Sequence, residues 1–375
     1  MLTILDKKII IRNLIDMNKD LELLKKLSEV RGTSGNEKCV ARLIKEEISQ
    51  DVDNIEFDNL GSLIAFKKGS ENEPKILFTA HMDEVGFVVS KILDGGFLAI
   101  HPTGGWWGHV VLAQVMVIKT RDDKEYFGVV GAQPPHGMSA EQKNKVMPIS
   151  DMYIDIGVAS KEEAESLGIR VGDTVTPYTD FRVLNNNNYL LGKAWDDRIG
   201  VASLIKAIKE LKDVKTKANL YFGATVQEEV GLRGAKTASY HVKPDVAFAI
   251  DCTFSYDLPK SDKNDTKLGA GVALSIMDGS VIAHRALFDF VEEVAKKYNV
   301  KYTYDLLKAG GTDSGEMHKQ YDGIITMTLS IPCRYFHSHV SIIHYEDYLN
   351  AVKLIVAISK ELDKEKLEQL KSSKY

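Results

Sequence analysis

The sequence predicts an α/β protein, a sheet with helices on its faces, interrupted by a β-rich block. Three observations carry this. Helical and strand-like periods alternate on both sides of residues 86–181. Between those limits the apolar runs are short and split by Gly, Pro and Asp. The length, 375 residues, exceeds the roughly 250–300 at which one hydrophobic core stops growing, so two domains are expected.

In chain order, residues 18–29 have a helical period. Gly32 and Gly35 punctuate the chain, and Cys39–Ile48 resumes the period, with Val40, Leu43, Ile44 and Ile48 on one face. Ile64–Phe66 and Lys75–Ala80 read as strands. In the β-rich block, Val110–Ile118, Tyr126–Val130, Tyr153–Ile156 and Asp173–Thr176 read as strands, with Lys161–Leu167 as the one clear helix. After Asn185–Asn188 the alternation returns. Arg198–Leu211 is an amphipathic helix, Asn219–Val226 a strand, Arg233–Ser239 a short helix and Asp245–Ile250 a strand. Leu287–Lys297 is a helix, Ile324–Ile331 a strand, and Tyr348–Leu370 a terminal helix with a solvated, Lys-rich end from Lys360 to Tyr375.

Composition excludes several classes. With 44% hydrophobic and 27% charged residues, the chain is neither disordered nor collagenous. A net charge of −5 gives no footprint for nucleic acid. Cys39, Cys252 and Cys333 are scattered, with no CxxC pair, so neither a disulfide framework nor a thiolate metal site is expected. Charges at Asp6, Lys7 and Lys8 break the apolar N-terminus, which lacks the form of a signal peptide. No apolar run reaches the roughly 20 residues of a membrane span. A soluble, cytoplasmic protein is the expectation.

Several core strands run into polar, metal-competent residues. Lys75–Ala80 leads to His81, Asp83 and Glu84; Asn219–Val226 to Glu228 and Glu229; Asp245–Ile250 to Asp251; and Ile324–Ile331 to His337 and His339. Strand ends of an open α/β sheet are where ligands bind. Asp196 and Asp197 stand at the start of the long helix, where the helix dipole favours carboxylates. Each feature alone has a bland reading: a helix cap, a solvated Glu pair, a structural histidine. The joint pattern does not, because charges near a sheet are costly unless paired or metal-bound. Two histidines with three or more carboxylates and no thiolate suit Zn²⁺, Co²⁺ or Mn²⁺. The set is rich enough for two ions about 3.5–4 Å apart sharing a carboxylate, with one carboxylate left as general base. If Glu228 and Glu229 lie in an extended segment they point opposite ways, one to metal and one to substrate. Asp83, two residues after His81, is placed to orient its imidazole.

These segments resemble the tetrahedral (TET-type) co-catalytic metallo-aminopeptidases, a family that includes glutamyl and deblocking aminopeptidases. The resemblance runs in order through Gly32–Gly35, Ala80–Gly86, Gly128–His136, Ile154–Gly157, Gly168–Thr174, Gly192–Arg198, Thr225–Gly231, Gly310–Asp313 and Ile331–Ser338. It implies a mixed central sheet with helices on both faces and an inserted small β-barrel dimerisation domain. It implies an aminopeptidase with Asp196 as bridging carboxylate, His81 and Asp251 at one metal, Glu229 and His337 at the other, Glu228 as general base and Asp83 supporting His81. The family has an unusual Asp-Asp peptide bond at the bridging position, here 196–197. Gly311, Thr312 and Asp313 are placed near the substrate. His136 becomes a weaker candidate for reaching a neighbouring subunit's site.

Departures from the family pattern are His339, where Pro is frequent, and Ser341, where an acid is frequent. His339 is therefore a rival to His337, which is favoured because Arg334-Tyr-x-His337 is the matching frame. Cys252 is expected to be a packed thiol facing away from Asp251. The Gly104-Gly-Trp-Trp-Gly108 run is not a phosphate loop, since no Lys-Ser/Thr follows, and its tryptophans are expected in packing or an interface.

The expectation is a dinuclear aminopeptidase acting on peptides, with two divalent ions per subunit, assembled as a homo-dodecamer from dimers. A metal-independent glycoside hydrolase, which would use a carboxylate pair, and a non-catalytic assembly protein are the alternatives. Presumed ligands flank the β-rich block. The domains are therefore expected to be nested: residues 1–85 with 183–375 as the catalytic domain, and 86–182 as the insertion.

Overall fold

The computed structural model describes residues 4–374, so Met1–Thr3 and Tyr375 lie outside the described residues. The first segment forms α1 (Ile4–Glu29), α2 (Lys38–Ile48), β1 (Asn54–Phe57), β2 (Leu63–Lys67) and β3 (Lys75–His81). The middle segment forms β4 (Gly86–Ile92), β5 (Leu98–Thr103), β6 (Val115–Lys119), β7 (Glu125–Gly131), α3 (Ala140–Lys143), β8 (Tyr153–Asp155), α4 (Lys161–Ser166) and β9 (Thr174–Pro177). The last segment begins with β10 (Arg182–Val183), β11 (Tyr189–Gly192), α5 (Trp195–Leu211), β12 (Asn219–Thr225), α6 (Arg233–Val242) and β13 (Val246–Phe254). It continues with β14 (Val272–Met277), α7 (Arg285–Lys297), β15 (Tyr302–Leu306), α8 (Ser314–Met317), β16 (Ile325–Arg334), β17 (Ser341–His344), α9 (Tyr345–Glu361) and α10 (Lys364–Ser372).

The first and last segments build one mixed sheet in the order β1-β2-β12-β3-β13-β16-β17-β11-β10, with β14 against β16 and β15 outside it. At its centre β12, β3, β13 and β16 run parallel. These strands are buried on both faces, which is why Lys75–Ala80 reads as a continuous apolar run rather than an alternating one. Phe78 stacks between Phe222 (5.7 Å between ring centres) and Phe248 (5.1 Å). Helix α5 packs against β3 and β13 at the middle of this core and is buried over most of its length. The middle segment closes separately into an antiparallel barrel, β4-β5-β8-β7-β6-β9. Phe87, Val89, Leu98, Met116, Ile118, Ile154 and Val175 fill it. Among the described residues no helix is long and apolar enough to cross a membrane.

The structure corrects several expected bounds: α1 begins at Ile4, α6 reaches Val242 and β16 runs on to Arg334. β13 continues to Phe254, because its outer half pairs with β16 as far as Cys333. Residues 348–370 are not one helix: Asp363 accepts the Lys366 amide at 3.0 Å and starts α10 as a separate helix. β6 starts at Val115, since Gly108–Val110 is a tight helical turn. The strand after Asn219 stops at Thr225, one residue short.

Candidate active site

Thr225 and His81 are register partners at the ends of β12 and β3. The segments that follow them, His81–Glu84 and Gln227–Gly231, therefore leave the sheet side by side. Gln227 takes a left-handed conformation (φ 55°), and Glu228 and Glu229 enter a turn rather than the extended segment expected. Strand alternation cannot orient this pair; hydrogen bonds do. Buried Asp83 accepts the Glu228 amide at 3.0 Å, the Glu229 amide at 3.2 Å and the Ser34 hydroxyl at 2.6 Å. Glu37 accepts the Gln227 amide at 3.1 Å and the Gly35 amide at 2.7 Å. His81 Nδ1 lies 3.0 Å from the Asp83 carbonyl oxygen and 3.6 Å from its carboxylate, so the backbone of Asp83 does more to orient the ring than its side chain.

Asp251 sits inside β13, not past its end. Its neighbour Cys252 points the other way, to the Trp195 carbonyl at 3.3 Å, as strand alternation requires. At the head of α5 the Asp196–Asp197 peptide is cis. The capping role falls to Asp197, which accepts the Gly200 amide at 3.0 Å and the His81 amide at 3.2 Å. Asp196 instead faces the cluster. Its Oδ1 is 3.1 Å from His81 Nε2, and its Oδ2 is 3.3 Å from His337 Nε2.

His337 lies in the loop after β16, with Nε2 3.4 Å from Glu229 Oε2 and Nδ1 2.9 Å from the Gly105 carbonyl. His339 gives its carbonyl to the Thr179 hydroxyl at 2.7 Å, and its Nδ1 is buried without a partner. His81, Asp196 and Glu229 present ligand atoms within 4.8 Å of one another, and so do His81, Glu228 and Asp251. Glu228 is thus inside the cluster, 3.9 Å from His81 Nε2.

The electrostatics are crowded. Burial pushes Asp251 well above the carboxylate range, with the Asp196 charge adding to it. Burial likewise raises Glu228, and raises Glu229 to about 8. Burial opposes ionisation of Asp196 too, but its bonds to His337 and His81 hold it below the usual range. Burial lowers His337, yet Asp196 and Glu229 carry it up to about 10. Glu229 Oε1 is buried with no hydrogen-bond partner. Four acids and two imidazoles share too little positive charge, a deficit that divalent cations relieve.

Of the residues expected near substrate, Gly311 is exposed. Thr312 donates to Asp278 at 3.0 Å, and Asp313 accepts the Thr225 hydroxyl at 2.7 Å, so both brace the site from within. His136 is exposed on the barrel side of the chain. Trp106 packs into the barrel and donates to the Gly86 carbonyl at 3.1 Å, whereas Trp107 is exposed.

Sequence reasoning missed Gly104 and Gly105. A Cβ at Gly104 would meet Val85 Cγ1 at 2.7 Å and Glu229 Cβ at 3.3 Å; one at Gly105 would meet His337 Nδ1 at 3.1 Å. Only glycine lets this loop approach so closely; the paired glycines were the available signal. Also missed were Ser34, Glu37 and the buried network around Glu84, which takes Lys193 Nζ at 2.7 Å on both oxygens.

Comparison with known proteins agrees with the motifs. The pattern defining the M42 glutamyl aminopeptidases matches residues 61–354. A lysyl aminopeptidase of Pyrococcus furiosus is 36% identical over 346 residues, 92% of this chain and 97% of its own. The crystal structure of a TET aminopeptidase from the marine sediment archaeon Thaumarchaeota archaeon SCGC AB-539-E09 superposes with a TM-score of 0.92 at 38% identity, covering 95% of this chain and 99% of that one. The TET1 peptidase of Pyrococcus horikoshii, described as assembling into a tetrahedron or a large octahedral shell, gives 0.83 at 37% identity, covering 92% and 100%. On these matches the chain is a peptide hydrolase and belongs to the M42 glutamyl aminopeptidase family.

Proposed function

We propose that the chain works as a dinuclear-metal aminopeptidase with Glu228 as its general base. His81 and Asp251 would hold one cation, Glu229 and His337 the other, and Asp196 would bridge them. The observation that carries this reading is the Asp196 carboxylate, whose two oxygens face two different imidazoles at 3.1 and 3.3 Å. The unpartnered Glu229 Oε1 supports it. The donor set, imidazole and carboxylate without thiolate, suits Zn²⁺, Co²⁺ or Mn²⁺. When bound, such a pair polarises a scissile carbonyl and lowers the pKa of a water between the ions.

The chain's residues do the rest. Asp196 and the His81 ring, held by the Asp83 carbonyl, fix the spacing of the two halves. Glu228 takes the proton of the attacking water and passes it to the leaving amine. Burial alone favours its protonated form, so the base role depends on the positive charge of the bound cations to keep the carboxylate ionised. Peptides that present a free amino end are the substrates. The peptidase family and the imidazole–carboxylate cluster favour peptide hydrolysis over the glycoside hydrolase and non-catalytic readings.

The same reading makes residues 1–85 with 183–375 the catalytic domain and 86–182 a dimerisation domain, from which dimers build a dodecamer. An exposed apolar strip on the barrel supports it: Val115 and Val129 are register partners, with Phe127 and Tyr178 in edge contact beside them. The Pyrococcus horikoshii shell supports further assembly. A monomer on sizing would sink this part.

Glu228→Gln tests the base. Turnover should fall at least about 10²–10⁴-fold, the range a general base contributes, while emission spectrometry still finds two cations per chain. Near-normal turnover would refute the assignment.

A further inference from the structure

We infer that the loop Gly32–Glu37 is a positioning element for the base, with Glu37 as its principal residue. The inference rests on Glu228 being that base. Three consecutive amides, those of Gln227, Glu228 and Glu229, are each taken by a carboxylate: the first by Glu37 and the next two by Asp83. The loop governs both acceptors. It supplies Glu37 itself, and its Ser34 hydroxyl holds Asp83 Oδ2 at 2.6 Å.

Capping of its helix does not account for Glu37. The residue stands at the N-cap of α2, yet its side chain makes no bond to that helix. It turns away to an amide 190 residues distant and is 5% exposed. Burying a carboxylate beside a like-charged Asp83 is costly, and an exposed Ser or Asn would cap the helix as well. What the buried carboxylate achieves is to hold Gln227 in its left-handed conformation (φ 55°), the step that directs the next two side chains into the cluster. Gly35, with φ 84°, lets the loop fold back so that its own amide meets the same Glu37 oxygen at 2.7 Å. The Glu37 carboxylate bonds to the Gly35 and Gln227 amides, and it acts on the cluster through the Gln227–Glu229 backbone.

The test is steady-state kinetics with aminoacyl chromogenic substrates, cations per chain by emission spectrometry, and a melting curve for each variant. Glu37→Ala removes the acceptor, and kcat should fall about 10–100-fold, the effect of losing an orienting partner, with KM and cation content within about twofold. Glu37→Gln keeps an oxygen for both amides and should hold kcat within about threefold of the parent. Should Glu37→Ala not accumulate as folded protein, Ser34→Ala removes a single hydroxyl and should lower kcat at least about threefold with KM unchanged. Three results would overturn the inference: kcat of the folded alanine variant within about twofold of the parent, cation content falling in step with kcat, or Glu37→Gln losing as much as Glu37→Ala. Glu228→Gln separates the two readings. If it stays active, the base assignment fails; if it is inactive while Glu37→Ala is normal, only the positioning role fails.

Discussion

Replacing Arg198 by Lys should destabilise the protein far more than its conserved charge suggests. Arg198 is fully buried. Its Nε donates to the Met82 carbonyl at 2.7 Å, Nη1 to Leu27 and Val30 at 2.9 Å each, and Nη2 to Gly32 at 3.2 Å, with Glu84 Oε1 at 3.5 Å. The planar fork thus joins the end of α1, the loop after it and the segment leaving β3. A lysine ammonium is a compact charge with three donors and cannot span four carbonyls on three segments. Lys193 already reaches the Val30 carbonyl and Glu84, so the substitution brings a second ammonium to partners already engaged. Two carbonyls left without donors cost about 1–3 kcal/mol each, or about 2–6 kcal/mol together. Against a total of about 5–15 kcal/mol for a domain, that is a large fraction. Urea unfolding followed by far-ultraviolet circular dichroism reads it as a lower midpoint at unchanged slope. A loss under about 1 kcal/mol would refute the argument, since it would mean that the carbonyls find other donors.

Three further outcomes are expected. Gly104→Ala, at φ 87° and with its Cβ 2.7 Å from Val85 Cγ1, should lower kcat at least about tenfold by displacing the loop against Glu229 and His337; parent-like turnover would contradict the close-approach argument. EDTA should abolish activity and lower the melting temperature, and Zn²⁺ or Co²⁺ should restore both, because ligand at 100 times its Kd stabilises by about 2.7 kcal/mol. An unchanged melting curve would count against ions held by the fold. Asp347 accepts the Gly269 and Gly271 amides at 2.7 Å each and is pushed by burial up to about 7. A raised folded-state value means that its contribution is full below the ordinary 3.8 and is lost as pH rises through about 7. The melting temperature of the parent should therefore fall relative to Asp347→Asn between about pH 4 and pH 7 and level off above, and a gap independent of pH would refute this.

The residues the structure brings together, His81, Asp196, Glu228, Glu229, Asp251 and His337, could be named from the chain because each follows or adjoins an apolar run, with His337 set apart from His339 only by the matching Arg334-Tyr-x-His frame. That association is local, and a period of two or 3.6 residues registers it. What escaped was non-local. Glu37 meets Gln227 across 190 positions and Gly105 meets His337 across 232, and neither contact leaves a trace in local hydrophobicity. The Glu228-Glu229 pair is expected to continue extended past the strand because apolar residues reach Val226. The left-handed Gln227 that ends it is set by tertiary hydrogen bonds. By contrast, the break before α10 did have a local sign in Asp363, a good N-cap residue, which the unbroken helical pattern around it concealed. The barrel was legible as many short strands, but its closure depends on pairings such as β4 with β9 that no single segment announces.

The carbonyl that holds the His337 ring belongs to the loop between β5 and β6, on the barrel, while the ring belongs to the loop after β16. Neither unit can therefore be inherited alone. A recombination that exchanged the barrel for one from a relative would also exchange the setting of an imidazole in the cluster. A shortened β5–β6 loop would be felt as lost chemistry rather than lost packing.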